Sequence, residues 1–151
     1  MELGGERVLY VATALTRSDD PALSRRIEEH RERRHSGWGL LELADQSLAP
    51  VLEGASGRGA VLLDSLTLWV SARTYDWEES ETLEQFERFL GLADALSEPL
   101  ILVSDEVGLG VVPESPEARR FRDLLGLVNQ RAAAAAEEVY LCVAGIAHRI
   151  K

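Results

Sequence analysis

Four short stretches of this sequence are apolar from end to end: Val8–Ala12, Ala60–Leu63, Leu100–Val103 and Val139–Ala144. A strand with one wetted face alternates apolar and polar residues, because successive side chains point to opposite sides. Unbroken runs rich in Val, Leu and Ile instead fit strands covered on both faces, the usual situation in parallel sheets. Segments of helical character separate the four runs and are long enough to serve as crossovers. The expected architecture is therefore α/β, a mostly parallel sheet with helices on both faces. The 151 residues suit one domain spanning 1–151. With 46% hydrophobic residues, such a chain can bury a core without disulfides or structural metals.

The clearest helix spans Pro21–His35, with Asp20 as N-cap, Pro21 at the first helical position, and Leu23 and Ile27 marking the apolar edge. A second covers about Ser80–Leu96. A third covers about Pro116–Ala136, with a break or bend expected near Gly126, and its Ala132–Ala136 run favours helix. Glu53–Gly59, with three glycines, reads as a loop. The single cysteine, Cys142, cannot form an internal disulfide and reads as a buried thiol in its apolar run. That usage fits a reducing, cytoplasmic setting. No apolar run approaches the ~18 residues of a membrane span, and no signal peptide is visible. Net charge is −10, from 16 Lys+Arg against 26 Asp+Glu, which argues against non-specific nucleic-acid binding. The arginines nonetheless cluster at Arg25, Arg26, Arg31, Arg33 and Arg34, so a small anion such as a nucleotide stays open.

Open α/β sheets bind ligands beyond the carboxyl ends of their strands. Here those ends carry Thr13, Asp64, Ser104–Asp105–Glu106 and Gly145. Asp64 ends an apolar strand in the Walker B manner, suited to Mg²⁺ directly or through water; a turn or cap acid looks the same. His30 lies among arginines near the apolar edge of its helix. A neutral imidazole there can attack the α-phosphorus of a nucleoside triphosphate, with the arginines holding phosphates, or it can be an incidental residue on a solvated face. The stretch Ser104–Pro113 places two acids and two glycines after a buried strand, as a ligand loop or a structural turn. His35 and His148 lack metal spacing, Trp38, Trp69 and Trp77 read as packing residues, and neither a zinc pattern nor a GxSxG elbow is present.

In order, the chain carries Val8-Leu-Tyr-Val-Ala-Thr-Ala14, Arg26-Ile-Glu-Glu-His30, Trp38 followed by Glu42, and Val61-Leu-Leu-Asp-Ser-Leu-Thr-Leu-Trp69. Ser104-Asp-Glu-Val-Gly-Leu-Gly-Val-Val-Pro-Glu114, Phe121-Arg-Asp-Leu-Leu-Gly-Leu-Val-Asn-Gln130, Val143-Ala-Gly145 and Ile150-Lys151 follow. The series resembles the bifunctional adenosylcobinamide kinase/adenosylcobinamide-phosphate guanylyltransferase family of cobalamin biosynthesis over nearly the whole chain. The resemblance implies a P-loop NTPase-like (RecA-like) fold, a homotrimer, Mg²⁺, and GTP and ATP as substrates. It implies phosphorylation of adenosylcobinamide, then transfer of GMP to the cobinamide phosphate through a guanylyl-histidine. His30 matches the guanylylated position. Thr13, Ala14 and Leu15 match the strand-end segment contacting GTP, and Arg31, Glu32, Arg33 and Arg34 match nucleotide contacts after the histidine. Glu42 matches a nucleotide-binding acid, whose carboxylate could accept from guanine, and Asp64 matches the Walker B acid.

The sequence departs from the family in two places. The family opens with a strand, a GxxxxGK[ST] loop and a helix, whereas this sequence opens Met1-Glu-Leu-Gly-Gly-Glu-Arg7 and enters the next strand directly. The expectation is an N-terminally truncated nucleotide-binding domain whose first strand and P-loop are absent, leaving exposed apolar edges. A non-catalytic paralogue, or a guanine-nucleotide binding module without turnover, is the alternative. Asp105 stands where the family commonly has Asn.

Overall fold

The computed structural model describes residues 7–14, 25, 28, 29, 32, 35–43, 46–74 and 78–151. Its centre is a parallel sheet of four strands: β1 (Val8–Ala12), β2 (Gly39–Glu42), β3 (Ala60–Asp64) and β4 (Leu100–Val103), in the order β2-β1-β3-β4. Val8, Leu9, Tyr10 and Val11 are all buried, so β1 is covered on both faces, as its unbroken apolar run requires. β2 lies at one edge and does alternate, Leu40 and Glu42 being exposed while Gly39 and Leu41 are half-buried. Four alternating residues give too short a pattern to stand out, and this strand was not among those expected.

The helices are α1 (Ala49–Glu53), α2 (Leu66–Arg73), α3 (Glu79–Ala93) and α4 (Pro116–Ala135), with a 3-10 turn at Val107–Leu109. Their starts are written locally. Ser65 Oγ accepts from the Leu68 N–H at 3.3 Å, capping α2. Glu78 and Glu81 form a capping box at α3. Ser115 Oγ accepts from the Ala118 N–H at 3.1 Å, and Pro116 occupies the first turn of α4. The helix expected at Pro21–His35 falls mostly outside the described residues; Arg25, Glu28, Glu29 and Glu32 are helical and exposed, and Arg25 pairs with Glu29 at 3.1 Å. Of the expected loop at Glu53–Gly59, Glu53 closes α1 instead. The rest is a turn in which Gly57 adopts φ +74°. The Gly57 N–H, 2.9 Å from Glu98, holds that carboxyl below its ordinary pKa.

The core joins Leu9, Val11, Val61 and Leu63 of the sheet to Leu66, Trp69, Val70, Phe86, Phe89, Leu124, Leu125 and Val128. Trp69 packs on Phe86 with ring centroids 5.7 Å apart, and Phe86 on Phe89 at 6.2 Å. Helix α4 lies against α2 and α3, and Arg131 pairs with Glu87 across the α3–α4 seam.

Three expectations are corrected. Val139–Ala144 does not enter the parallel sheet: β5 (Tyr140–Val143) pairs antiparallel with β6 (Ile146–Arg149) in a separate hairpin. Ala144 and Gly145, at φ +50° and +79°, form the two-residue turn, the geometry that matches strand twist in tight hairpins. Cys142 is exposed on that hairpin, not buried. Gly126 neither breaks nor ends α4, which runs unbroken from Pro116 to Ala135. A mid-helix glycine costs about 1 kcal/mol, and burial of Leu124, Leu125 and Val128 around it offsets that.

Truncating Phe86 to alanine empties the centre of the aromatic cluster. The expected loss is about 3–5 kcal/mol of stability, read as a lower urea midpoint with an unchanged slope; a shift under 1 kcal/mol would mean the cluster is not a structural core.

Candidate functional site

The register of the parallel sheet brings the polar strand ends into one row. Ala12 stands opposite Glu42 on one side and Asp64 on the other, and Asp64 stands opposite Val103. With strands about 4.8 Å apart, the backbones of Glu42 and Asp64 flank Ala12 at a separation of about 10 Å. Glu42 is exposed and Asp64 half-buried. Two acids thus border the carboxyl end of the sheet: Asp64 at the strand end that the sequence suggested, and Glu42 on a strand that it did not.

Thr13 sits one residue beyond this row and is fully buried. Its hydroxyl accepts from the Ser65 N–H at 2.9 Å and donates to the Ser65 carbonyl at 2.7 Å. The Asp64–Ser65 peptide bond is cis. The Thr13 hydroxyl therefore serves the backbone that presents Asp64, so any contact it makes with a nucleotide is additional to this one. Ala14 is half-buried beside it.

Asp64 is held from a second direction. The Tyr10 hydroxyl donates to Asp64 Oδ2 at 2.7 Å. Tyr10 lies opposite Leu62, two residues before Asp64, so the pair is a cross-strand diagonal within reach of a long aromatic side chain. The Tyr10 ring packs on Trp38, centroids 6.4 Å apart. Sequence reading missed this role, although a tyrosine inside an otherwise aliphatic strand signals a hydroxyl needing a partner.

Gln46, also missed, anchors the segment after β2. Its carbonyl accepts from Trp69 Nε1 at 2.9 Å and from Arg73 at 2.7 Å, while its side-chain amide donates to the Leu43 carbonyl at 3.3 Å and reaches the Thr13 carbonyl at 3.5 Å. It takes φ +61°. That conformation costs about 1–2 kcal/mol for a residue with a Cβ. Arg73 is fully buried, its guanidinium 4.5 Å from the Trp69 ring centroid.

Beyond β4, Ser104–Glu106 is tied to the same end of the molecule. The Asp105 N–H donates to Thr67 Oγ1 at 2.9 Å. Asn129 Nδ2 donates to the Asp105 carbonyl at 3.1 Å and to Glu106 Oε1 at 3.0 Å, and Ser104 Oγ lies 2.6 Å from Asn129 Oδ1. Gly145, expected at a sheet end, instead turns the separate hairpin. Of the other expected site residues, Glu32 is exposed on its helix, while Leu15, His30, Arg31, Arg33 and Arg34 lie outside the described residues. Among the described residues no cluster of three His, Cys, Asp or Glu is arranged to hold a metal.

Replacing Thr13 by valine keeps the shape and removes both hydrogen bonds to Ser65. The expected cost is about 1–3 kcal/mol of stability, with Thr13→Ser retaining most of it. Equal denaturation midpoints for the valine and serine variants would refute the clamp.

Residues 1–150 match a family model described as cobinamide kinase / cobinamide phosphate guanyltransferase. The bifunctional adenosylcobalamin biosynthesis protein CobU of Escherichia coli (strain K12) is 34% identical over an alignment of 158 positions that covers 96% of this chain and 86% of that protein. The protein of the same name from Salmonella typhimurium is 32% identical, with the same coverage of both chains. Bifunctional adenosylcobalamin biosynthesis protein CobP of Pseudomonas aeruginosa is 35% identical, covering 97% of this chain and 84% of its own. The mostly parallel sheet with its helices is consistent with the P-loop NTPase-like fold expected of such a sequence. On the extent of these matches, the chain belongs to the cobinamide kinase/cobinamide phosphate guanyltransferase family of cobalamin biosynthesis.

Proposed function

We propose that this chain phosphorylates adenosylcobinamide and transfers GMP from GTP to adenosylcobinamide phosphate through a guanylyl-histidine at His30. The observation that carries the reading is the row at the sheet end, where the register sets Glu42 and Asp64 on either side of Ala12. In the transfer reaction an imidazole nitrogen of His30 attacks the α-phosphorus of GTP. The N–P bond forms as the bond to the β-phosphate oxygen breaks and pyrophosphate leaves. A phosphate oxygen of the corrinoid then attacks the same phosphorus, the N–P bond breaks, and the imidazole is regenerated. Arg31, Arg33 and Arg34 follow His30 directly and supply charge for the phosphates. By the family resemblance Thr13, Ala14, Leu15 and Glu32 are assigned to nucleotide contact, and Glu42 accepts from guanine N1–H and N2–H₂, which adenine lacks.

The residues fit a magnesium ion carried in with the nucleotide. Mg²⁺ uses one or two carboxylates and takes its other ligands from phosphates and water. Asp64 would supply one oxygen, its Oδ2 being engaged by the Tyr10 hydroxyl. The ion, when bound, neutralises phosphate charge. Tyr10 keeps the carboxylate of Asp64 at a fixed angle. We place the enzyme in the cytoplasm as a homotrimer, in keeping with the family resemblance; among the described residues no helix is long and apolar enough to cross a membrane.

Incubation with α-³²P-GTP and Mg²⁺ tests the central step. Acid-labile label on the parent chain, absent from His30→Ala, is expected. No label on a folded sample would leave a non-catalytic paralogue or a binding module. Glu42→Gln should erode the preference for GTP over ATP, and an unchanged preference would remove the guanine role. Tyr10→Phe should raise the Mg²⁺ concentration for half-maximal labelling about tenfold, in line with losing a partner of a metal-binding carboxylate.

A further inference from the structure

The loop that follows β4 exposes apolar side chains that the fold does not use. Leu109 is 81% exposed, Val111 91% and Val112 65%, and Val103 before them is 38% exposed. Both ends of the loop are nevertheless fixed. Thr67 and Asn129 hold Asp105 and Glu106 at its start. At its end Arg119 donates to the carbonyls of Pro113 and Glu114 at 3.0 and 2.6 Å. Apolar side chains kept in water along one anchored loop point to a binding surface.

Two further features narrow the occupant. Gly108 and Gly110 have nothing within 4 Å of where a Cβ would stand, and neither takes a positive φ. Nothing among the described residues therefore demands glycine there, and the pair leaves a low backbone surface between the apolar side chains. The rim is net acidic, with Asp105 and Glu106 on one side and Glu114 on the other against the half-buried Arg119. Such a rim repels the phosphates of a nucleotide. It suits a ligand with an apolar body, amide N–H donors at its margin and a positive charge.

We propose that Val107–Val112 is the seat of the corrinoid ring, with Asp105, Glu106 and Glu114 meeting its amide margin. This rests on the functional reading above and adds where the large substrate sits. Adenosylcobinamide is a cationic cobalt macrocycle fringed by amides, far larger than the hydroxyl that reacts. The loop begins one strand from Asp64, because Asp64 stands opposite Val103. A ring resting there can extend its aminopropanol arm toward the row of Glu42 and Asp64.

The test measures adenosylcobinamide binding by equilibrium dialysis, followed by its visible absorption, on the parent chain, on Leu109→Ser/Val111→Ser, and on Gly110→Ala. All three substituted positions face open solvent, so the variants should fold as the parent does. Affinity should fall about tenfold or more in the double variant and measurably in Gly110→Ala, with labelling by α-³²P-GTP and the sedimentation mass unchanged. Equal binding by parent and variants, or no binding by the parent, would overturn the assignment. A smaller assembly in the double variant would also overturn it, giving the patch to a neighbouring copy. Weaker corrinoid binding by the variants, with no GTP label on any chain, would sustain this surface while refuting the guanylyl-histidine.

Discussion

The functional end of the sheet depends on one hydroxyl that donates and accepts at once. Parallel pairing of β1 with β3 ends at Ala12 and Asp64. Beyond it, the Ser65 N–H would be buried with nothing to bond, at a cost of the order of 1–3 kcal/mol, while the Ser65 carbonyl also accepts from the Trp69 N–H at 3.1 Å. Thr13 closes both of them. Ser65 then caps α2, and α2 carries Trp69 and Arg73 to the carbonyl of Gln46. The Gln46 amide returns to the Thr13 carbonyl, so the contacts form a closed circuit around the base of the site.

That circuit accounts for the division of labour among the polar residues. Thr13 and Gln46 are buried, and the Thr13 hydroxyl and the Gln46 amide nitrogen bond to backbone. Glu42 stays exposed and Asp64 half-exposed, each on a strand whose neighbours fix its height. Short, in-register strands are stiffer supports than loops, which suits groups that must hold an angle toward a charged ligand. The loop beyond β4 carries exposed apolar side chains and is pinned at its ends by Asn129 and Arg119.

Much of this was legible before the fold was known. Three of the four unbroken apolar runs became parallel strands because covering both faces of a sheet demands that composition. The fourth, Val139–Ala144, obeyed the same rule of composition and still failed. Apolarity alone does not separate a covered strand from one in a tight hairpin, and the decisive Ala144–Gly145 turn depends on backbone angles. Gly126 was misjudged because local propensity was weighed without the burial of its neighbours. Asp64 and Thr13 were singled out from their positions at strand ends as well as from the family pattern, and Glu42 from the family pattern alone. Tyr10 and Gln46 escaped because their roles exist only once β1, β3 and α2 are brought together. The proposed nucleophile, His30, rests on sequence alone.

The shared carbonyl of Gln46 has an optical consequence. Trp69 is sealed from water, and its indole N–H is bonded to that carbonyl with a guanidinium over the ring. Indole emission responds to hydrogen bonding and to nearby charge, so the protein carries a native fluorophore wired to the base of its nucleotide end. Displacement of the Gln46 segment by an arriving ligand has to pass through that bond, and the colour of Trp69 emission would record it without any added label.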